Sequence, residues 1–326
     1  MNDSSSALLA LVSEELAQPA PPAAAALAQA IAERHGSGVA SVLFYGSCLR
    51  KTTHEGVLDF YVLIDGYRDF YGLGWFAAAN AMLPPNVFYL ESEAVLEPGA
   101  TPTPVRCKYA VLTSAAFARL TSARAFHPYI WARFAQPALL AWVRDDAARW
   151  DAEVSVAAAV RTFVKRLSPF MAAGENVPFL ELWQEAFRRT YRTEFRGESA
   201  ESIRSLYEAN PERYARVTTL VLESLADDGS VDAVECGAEH YQLEQSALKR
   251  FAAQARWQMV WPFAKGLSLL RLLKTATTFG DWLPYALWKL ERHSGVRPEL
   301  TERQQKHPLI FAWPVIFRLL TQRALR

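Results

Sequence analysis

Three residues in the first fifth of the chain have the types and the spacing that bind nucleotide phosphates. Gly46 and Ser47 directly follow the apolar segment 39–45, and Asp59 lies in the next apolar segment, residues 57–64. Glycine lets backbone N–H groups approach a triphosphate closely, and a serine hydroxyl adds a donor. A carboxylate on the neighbouring strand can hold Mg²⁺ against the same phosphates. The pattern predicts phosphoryl or nucleotidyl transfer, although Gly-Ser after a strand is also common turn chemistry.

A lysine later in the chain could add positive charge to this site. Lys108 lies in the apolar segment 107–112, where its charged end would stand beside the nucleotide phosphates. The alternative is an edge lysine whose ammonium group extends into solvent. Asp59 also lies among apolar residues, and a charge in such a strand needs a partner or a metal ion.

The elements that must position these residues follow from apolar periodicity and from glycine and proline breaks. The predicted strands are residues 39–45, 57–64, 87–90 and 107–112. The predicted helices of the first half are residues 7–33, broken at 19–22, and then 67–82 and 114–123. From residue 137 onward the pattern is helical almost throughout, with long segments at 139–171, 179–195, 199–210, 211–226, 241–261 and 262–277. The sequence therefore predicts an α+β first half and a helical second half.

Charge is distributed unevenly along the chain. The 326 residues contain 35 Lys/Arg and 34 Asp/Glu, but residues 251–326 alone contain 12 Lys/Arg against four Asp/Glu. The same stretch contains five of the ten tryptophans. Basic, tryptophan-rich surfaces suit anionic lipid headgroups, and nucleic acid is the competing partner. Three scattered cysteines predict neither a disulfide framework nor a cysteine zinc site.

No stretch of the sequence has the roughly 20 apolar residues that a membrane-spanning helix needs. Two segments, residues 261–273 and 309–326, instead mix aromatic and aliphatic residues with lysine and arginine, as interfacial helices do. A buried core helix with extended basic side chains is the alternative for both. We therefore expect any membrane contact to be peripheral.

Four short segments resemble the mitochondrial-type phosphatidate cytidylyltransferases, which belong to the polymerase-β-like nucleotidyltransferase superfamily: the turn Tyr45-Gly46-Ser47, and residues 57–60, 108–112 and 261–274. The resemblance implies a polymerase-β-like nucleotidyltransferase core in residues 1–136 and a mostly α-helical lipid or substrate domain in residues 137–326. It implies transfer of CMP from CTP to phosphatidic acid with Mg²⁺, which gives CDP-diacylglycerol and pyrophosphate.

The resemblance also implies roles for individual residues. Gly46, Ser47 and Lys108 would bind the nucleotide, and Asp59 and Lys108 would be catalytic. The basic residues of the late segment would bind the lipid phosphate; they are Lys265, Arg271 and Lys274.

The sequence departs from the family pattern at several positions. Cys48 and Ala110 replace smaller residues, and position 61 is Tyr where the superfamily has a second acid. Glu91, at the end of a short strand, is the candidate second metal ligand, because the superfamily's third carboxylate lies on an adjacent strand. Asp65 is less suitable, since six residues of extended strand place it roughly 20 Å from Asp59.

Several alternatives stay open. The acceptor could be another lipid phosphate or a sugar phosphate, or the fold could be a degenerate module that only binds membranes or nucleic acid. Nucleic acid is the less favoured partner. The resemblance predicts a cytoplasmic enzyme on the inner face of the membrane, whereas base preference, acyl chains and oligomeric state leave no readable pattern.

Overall fold

The computed structural model describes residues 3–51, 56–171, 174–194 and 199–278. The strands are β1 (Val39–Tyr45), β2 (Val57–Ile64), β3 (Asn86–Ala94), β4 (Thr103–Thr113), β5 (Ala138–Val143), β6 (Asn176–Pro178), β7 (Ala233–Cys236) and β8 (His240–Glu244). The helices are α1 (Asp3–Leu16), α2 (Pro22–His35), α3 (Ser47–Arg50), α4 (Tyr67–Tyr71), α5 (Trp75–Met82), α6 (Ser114–Thr121), α7 (Trp131–Phe134), α8 (Asp146–Leu167), α9 (Phe179–Arg192), α10 (Ala200–Glu208), α11 (Pro211–Asp227) and α12 (Ala247–Thr278). The chain is α+β, as predicted.

The first five strands form one mixed sheet. Their order is β3-β4-β2-β1-β5, with β2 and β4 parallel and the other neighbours antiparallel. Strands β6, β8 and β7 form a second, three-stranded antiparallel sheet among the later helices.

Successive side chains of the large sheet point to opposite faces, because the side-chain period of a strand is two. On β2, Leu58, Phe60 and Val62 belong to an apolar cluster that α2 covers. Tyr61 and Leu63 belong to a second cluster that includes residues of α1, α6, α7 and α8. Asp59 therefore lies on the same face as Tyr61, towards this second cluster.

Polar side chains cap three helices of the core. The side chains of Thr113, Asp145 and Asn210 each accept a hydrogen bond from a backbone N–H in the first turn of α6, α8 and α11 respectively. Such caps satisfy backbone donors that have no partner inside the helix. They fix where each helix begins.

One apolar core continues from the large sheet into the helical half. The cluster that contains Tyr61 extends through Phe163 of α8 to Trp183 of α9, whose rings stack with centroids 4.6 Å apart. A buried ion pair between Glu15 and Arg213 joins α1 to α11. The predicted boundary between residues 136 and 137 lies just before β5, which pairs with β1 of the first half.

The observed elements confirm part of the sequence-based prediction and correct the rest. Strands β1 and β2 have the predicted bounds. The helix predicted from residue 139 is wrong at its start, since residues 138–143 form β5 before α8 begins. The helix predicted from residue 241 likewise begins with strand β8, and α12 then continues through Pro262. A short apolar run reads equally as a buried strand or as a helix segment, which accounts for both errors.

Within the ranges that the structure describes, no helix is sufficiently long and apolar to cross a membrane. The predicted interfacial segment 309–326 lies outside the described residues.

Candidate functional site

The candidate site is a row of four side chains across the large sheet. The strand registers pair Tyr45 with Asp59, Asp59 with Lys108, and Lys108 with Tyr89. Paired residues of adjacent strands lie side by side on one face of a sheet. The row therefore crosses β1, β2, β4 and β3, on the face that carries Tyr61.

Asp59 and Lys108 form an ion pair in the middle of this row. The Nζ atom of Lys108 is 3.2 Å from Oδ1 of Asp59, and the two side chains are 32% and 28% exposed. Both charges are accessible to a ligand while remaining partly shielded from water. The sequence-based prediction placed these residues in one site, and the structure brings them together.

Gly46 directly follows β1, and its backbone lies next to the Asp59 carboxylate. Its φ of +95° is in a region that L-amino acids with a side chain rarely occupy. A Cβ atom at this position would lie 3.3 Å from Oδ2 of Asp59. The glycine therefore allows both the turn and the close approach of the backbone to the carboxylate. Ser47 follows it, exposed, as the first residue of the single-turn α3.

Cys48 holds the connection between β1 and β2. Its side chain is buried, and its Sγ atom lies 3.6 Å from the carbonyl oxygen of Val57. A Cβ atom on Gly56 would lie 3.0 Å from the same sulfur. Cys48 thus has a packing role, since its thiol fills the base of the turn.

The structure gives Glu91 a different setting from the predicted one. Its Oε1 atom accepts hydrogen bonds from the Tyr89 hydroxyl at 2.7 Å and from Nε of Arg106 at 3.0 Å. Glu91 is opposite Arg106 in the sheet, on the far side of β4 from Asp59. Strand spacing and rise place the two Cα atoms roughly 12 Å apart. A shared metal ion would require Glu91 to leave both partners.

Asp65, the second candidate ligand, lies beyond the other end of β2. Its carboxylate pairs with Arg144, with Nη1 and Oδ2 at 2.5 Å. The structure therefore separates it from Asp59, as the strand length predicts.

The three basic residues assigned to a lipid phosphate have separate surroundings. Arg271 is buried, donates to the carbonyl oxygen of Pro84 at 3.0 Å, and lies 3.0 Å from Nε2 of His127. Lys274 donates to the carbonyl oxygens of Leu83 and Pro85 and to Oδ1 of Asn86. Lys265 lies over the Trp261 ring. Arg271 and Lys274 thus attach α12 to the turn before β3, and headgroup binding would have to replace these contacts.

Sequence analysis missed a buried cation cluster over the same sheet face. Arg133 pairs with Glu194 at 2.6 Å, with side chains 10% and 6% exposed. The guanidinium groups of Arg133 and Arg271 lie 4.0 and 4.1 Å from the centroid of the Tyr129 ring. An arginine inside the apolar segment 130–135 was the available signal, since a buried charge needs a partner.

Tyr61 is at the position where the resemblance would place a second acid. It is buried, and burial raises the pKa of its hydroxyl well above the ordinary value. Tyr61 therefore remains neutral and supplies no negative charge to a metal ion.

The residues present fit a Mg²⁺ ion that is held jointly with a nucleotide. Magnesium in such sites is bound by one or two carboxylates together with substrate phosphates and water. Asp59 offers one partly exposed carboxylate beside a glycine turn. Among the described residues, no group of three or more His, Cys, Asp or Glu side chains is placed to hold an ion without a nucleotide.

Comparison with known proteins adds no family assignment. A scan against protein-family models gives no match, and neither does a search of curated proteins.

Proposed function

We propose that this protein is a Mg²⁺-dependent nucleotidyltransferase that transfers CMP from CTP to phosphatidic acid. The observation that supports transfer chemistry is the arrangement of Gly46, Asp59 and Lys108 across β1, β2 and β4 of the large sheet. The choice of CTP and of phosphatidic acid depends on the family resemblance of the sequence. The products would be CDP-diacylglycerol and pyrophosphate.

Each residue of the site has a defined task in this reaction. The backbone at Gly46 and the hydroxyl of Ser47 bind nucleotide phosphates, and Lys108 offsets the negative charge that develops on them. Asp59 would hold the magnesium ion, which neutralises phosphate charge when it is bound. An oxygen of the lipid phosphate attacks the α-phosphorus of CTP, and the bond to the pyrophosphate oxygen breaks. Catalysis of this kind is mostly positioning and electrostatic stabilisation.

Helix α12 supports the proposal that the enzyme works at a membrane surface. Phe251, Phe263 and Leu272 are each at least 65% exposed, and Lys265 lies between them on the same helix. Exposed apolar residues with interspersed cations are typical of interfacial helices. We propose a cytoplasmic, peripheral association with the anionic inner face of the membrane.

Pyrophosphate release is the direct test of the reaction. The full-length protein is incubated with Mg²⁺, each of four nucleoside triphosphates, and vesicles with or without phosphatidic acid. The proposal expects release only with CTP and phosphatidic acid, together with formation of CDP-diacylglycerol. Pyrophosphate release with a sugar phosphate in place of the lipid would identify the sugar phosphate as the acceptor.

A module that binds without catalysis is the second candidate. The contacts of the two predicted metal ligands favour it, because both carboxylates already have partners. Lys108 pairs with Asp59, and Arg106 and Tyr89 donate hydrogen bonds to Glu91. Such a module would show no pyrophosphate release with any nucleotide, and its CTP binding would not depend on Mg²⁺. Calorimetric titration of CTP with and without Mg²⁺ separates the two candidates.

Vesicle co-sedimentation tests the membrane proposal separately. Each Lys or Arg near an anionic surface contributes about 1 kcal/mol, and salt weakens this attraction. We expect binding to anionic vesicles that decreases at high salt, with a residual component from the apolar residues. Equal binding to neutral vesicles, or binding to nucleic acid alone, would contradict it.

A further inference from the structure

A cavity of about 480 Å³ lies between α8 and α12, away from the sheet. Residues that follow α6 and α11 complete its wall. Its volume is in the usual range of small-molecule sites. It shares no lining residue with the row that contains Asp59 and Lys108.

The wall combines apolar and cationic side chains. Trp131, Trp257 and Val260 provide apolar surface. Four cations line the rest, and no acidic residue of the described chain lines the cavity; the cations are Lys165, Arg166, Lys249 and Arg256. A cavity with this composition suits a ligand that has an anionic end and an apolar end.

Two of the four cations are partly neutralised by neighbours. Lys249 pairs with Asp232 at 2.6 Å. Lys165 donates to the Ser230 hydroxyl at 2.7 Å and lies 4.0 Å from Asp228. Negative charge is therefore already present beside these two ammonium groups.

The two arginines lack such compensation. Arg166 donates to the carbonyl oxygen of Ala123, and Arg256 has no ion pair within the described residues. Burial, and then the charge of Arg256, lowers the pKa of Arg166 to about 10. Two guanidinium groups without an acid between them form a favourable place for an anion.

A buried donor supplies an independent sign of a ligand. Trp131 is 2% exposed and lines the cavity, and its indole Nε1–H has no hydrogen-bond partner in the part of the chain that the structure describes. Buried donors are rarely left without a partner. An oxygen of a bound molecule would satisfy it.

We propose that this cavity binds an anionic amphiphile, with a phosphate or carboxylate head whose oxygens accept from Arg166, Arg256 and the indole Nε1–H of Trp131, and an apolar body against Trp257 and Val260. The site does not depend on the proposed transferase activity, since CTP would bind at the sheet.

Isothermal titration of the full-length protein with dodecyl phosphate, below its micelle concentration, tests the proposal. Inorganic phosphate and the uncharged dodecyl maltoside serve as comparisons, because each offers only one of the two required ends. We expect dodecyl phosphate to bind at least about tenfold more tightly than either. Dodecanoate, tested alongside, distinguishes a carboxylate head from a phosphate head. The proposal would be overturned if dodecyl phosphate bound no more tightly than inorganic phosphate, or no more tightly than dodecyl maltoside.

Two variants locate the binding. Arg256→Gln removes the unpaired guanidinium and should weaken dodecyl phosphate binding about tenfold, whereas the exposed Arg216→Gln outside the cavity should not change it. Ala253→Phe fills the cavity from α12 while keeping all four cations, and it should weaken binding similarly. Circular dichroism checks that each variant is folded, and CTP binding should be unchanged in all three. Unchanged binding in both Arg256→Gln and Ala253→Phe would overturn the proposal.

Discussion

The Nζ atom of Lys108 lies 3.2 Å from Oδ1 of Asp59, across the only parallel pair of strands in the large sheet of the described chain. Parallel pairing places the two side chains at the same level of the sheet. The other carboxylate oxygen of Asp59 faces Gly46. One acid thus contacts both a cation and the glycine turn after β1, and substitutions at each point should have separable effects.

Asp59→Asn should abolish turnover and leave the fold intact. The substitution keeps the shape of the side chain but removes the charge that would hold Mg²⁺, so we expect a loss of at least about 100-fold. Because the pair with Lys108 is partly exposed, the free energy of unfolding should change by less than about 1 kcal/mol. Pyrophosphate release and thermal unfolding measure the two quantities.

Asp65→Asn is the matched control for this substitution. Asp65 follows the same strand at its other end and pairs with Arg144 rather than with Lys108. Its variant should retain turnover. Near-normal activity of a folded Asp59→Asn protein would show that Asp59 is not an active-site residue.

Gly46→Ala should lose Mg²⁺-dependent CTP binding, whereas Gly99→Ala should retain it. Both glycines have positive φ, +95° and +80°, so each alanine should be destabilising by roughly 1–2 kcal/mol. Only at Gly46 would the new Cβ meet the Asp59 carboxylate, since nothing lies within 4 Å at Gly99. Calorimetry gives both quantities. Equal CTP affinity in the two variants would mean that the turn does not bind phosphate.

Glu91→Gln should leave the Mg²⁺ requirement almost unchanged. Glutamine retains an acceptor for Tyr89 and Arg106, which are the partners that the structure gives to Glu91. The test is the Mg²⁺ concentration that gives half-maximal turnover. A shift of about tenfold or more, which is typical when a residue that supports a metal is lost, would restore Glu91 as a ligand.

The sequence was most informative where a single local rule decides the structure. Strands β1 and β2 were predicted with their observed bounds, because apolar runs end at Gly46 and Asp65. The pairing of Asp59 with Lys108 was harder to predict from the sequence, since it depends on the parallel register of β2 and β4. Register is a property of the whole sheet and leaves no local pattern.

The roles assigned to single charges were the least predictable part of the site. Glu91 was predicted to bind a metal ion and Arg271 a lipid phosphate, yet each has protein partners that are distant in sequence. Glu91 accepts from Arg106, and Arg271 contacts Pro84 and His127. Sequence analysis shows that a charge in an apolar segment needs a partner, but it does not identify the partner. The same limit hid the pair between Arg133 and Glu194.

Glu194→Gln should destabilise the protein strongly. It leaves Arg133 buried without a counter-charge, and breaking a buried pair in this way typically lowers the free energy of unfolding by about 3–5 kcal/mol. Glu208→Gln is the control, because its pair with Arg204 on α10 is exposed and should have little measurable effect. Chemical denaturation compares the two variants. Similar midpoints would mean that solvent reaches Arg133 in solution.

Stability should decrease as the pH falls below about 6.5, in part because of His127. Burial, and then the charges of Arg271, Arg119 and Arg133, lowers the pKa of His127 to about 3. Between that value and the ordinary one, the unfolded chain binds a proton at this position and the folded chain does not. The free energy of unfolding therefore falls with falling pH, by up to about 1.4 kcal/mol per pH unit from this group alone.

His127→Gln removes the titrating group, so the thermal midpoint of this variant should depend less steeply on pH between 6.5 and 4. If the wild-type protein and the variant show the same slope over this range, His127 is solvated and protonated in the folded state, and the contact that attaches α12 to His127 through Arg271 is not formed in solution.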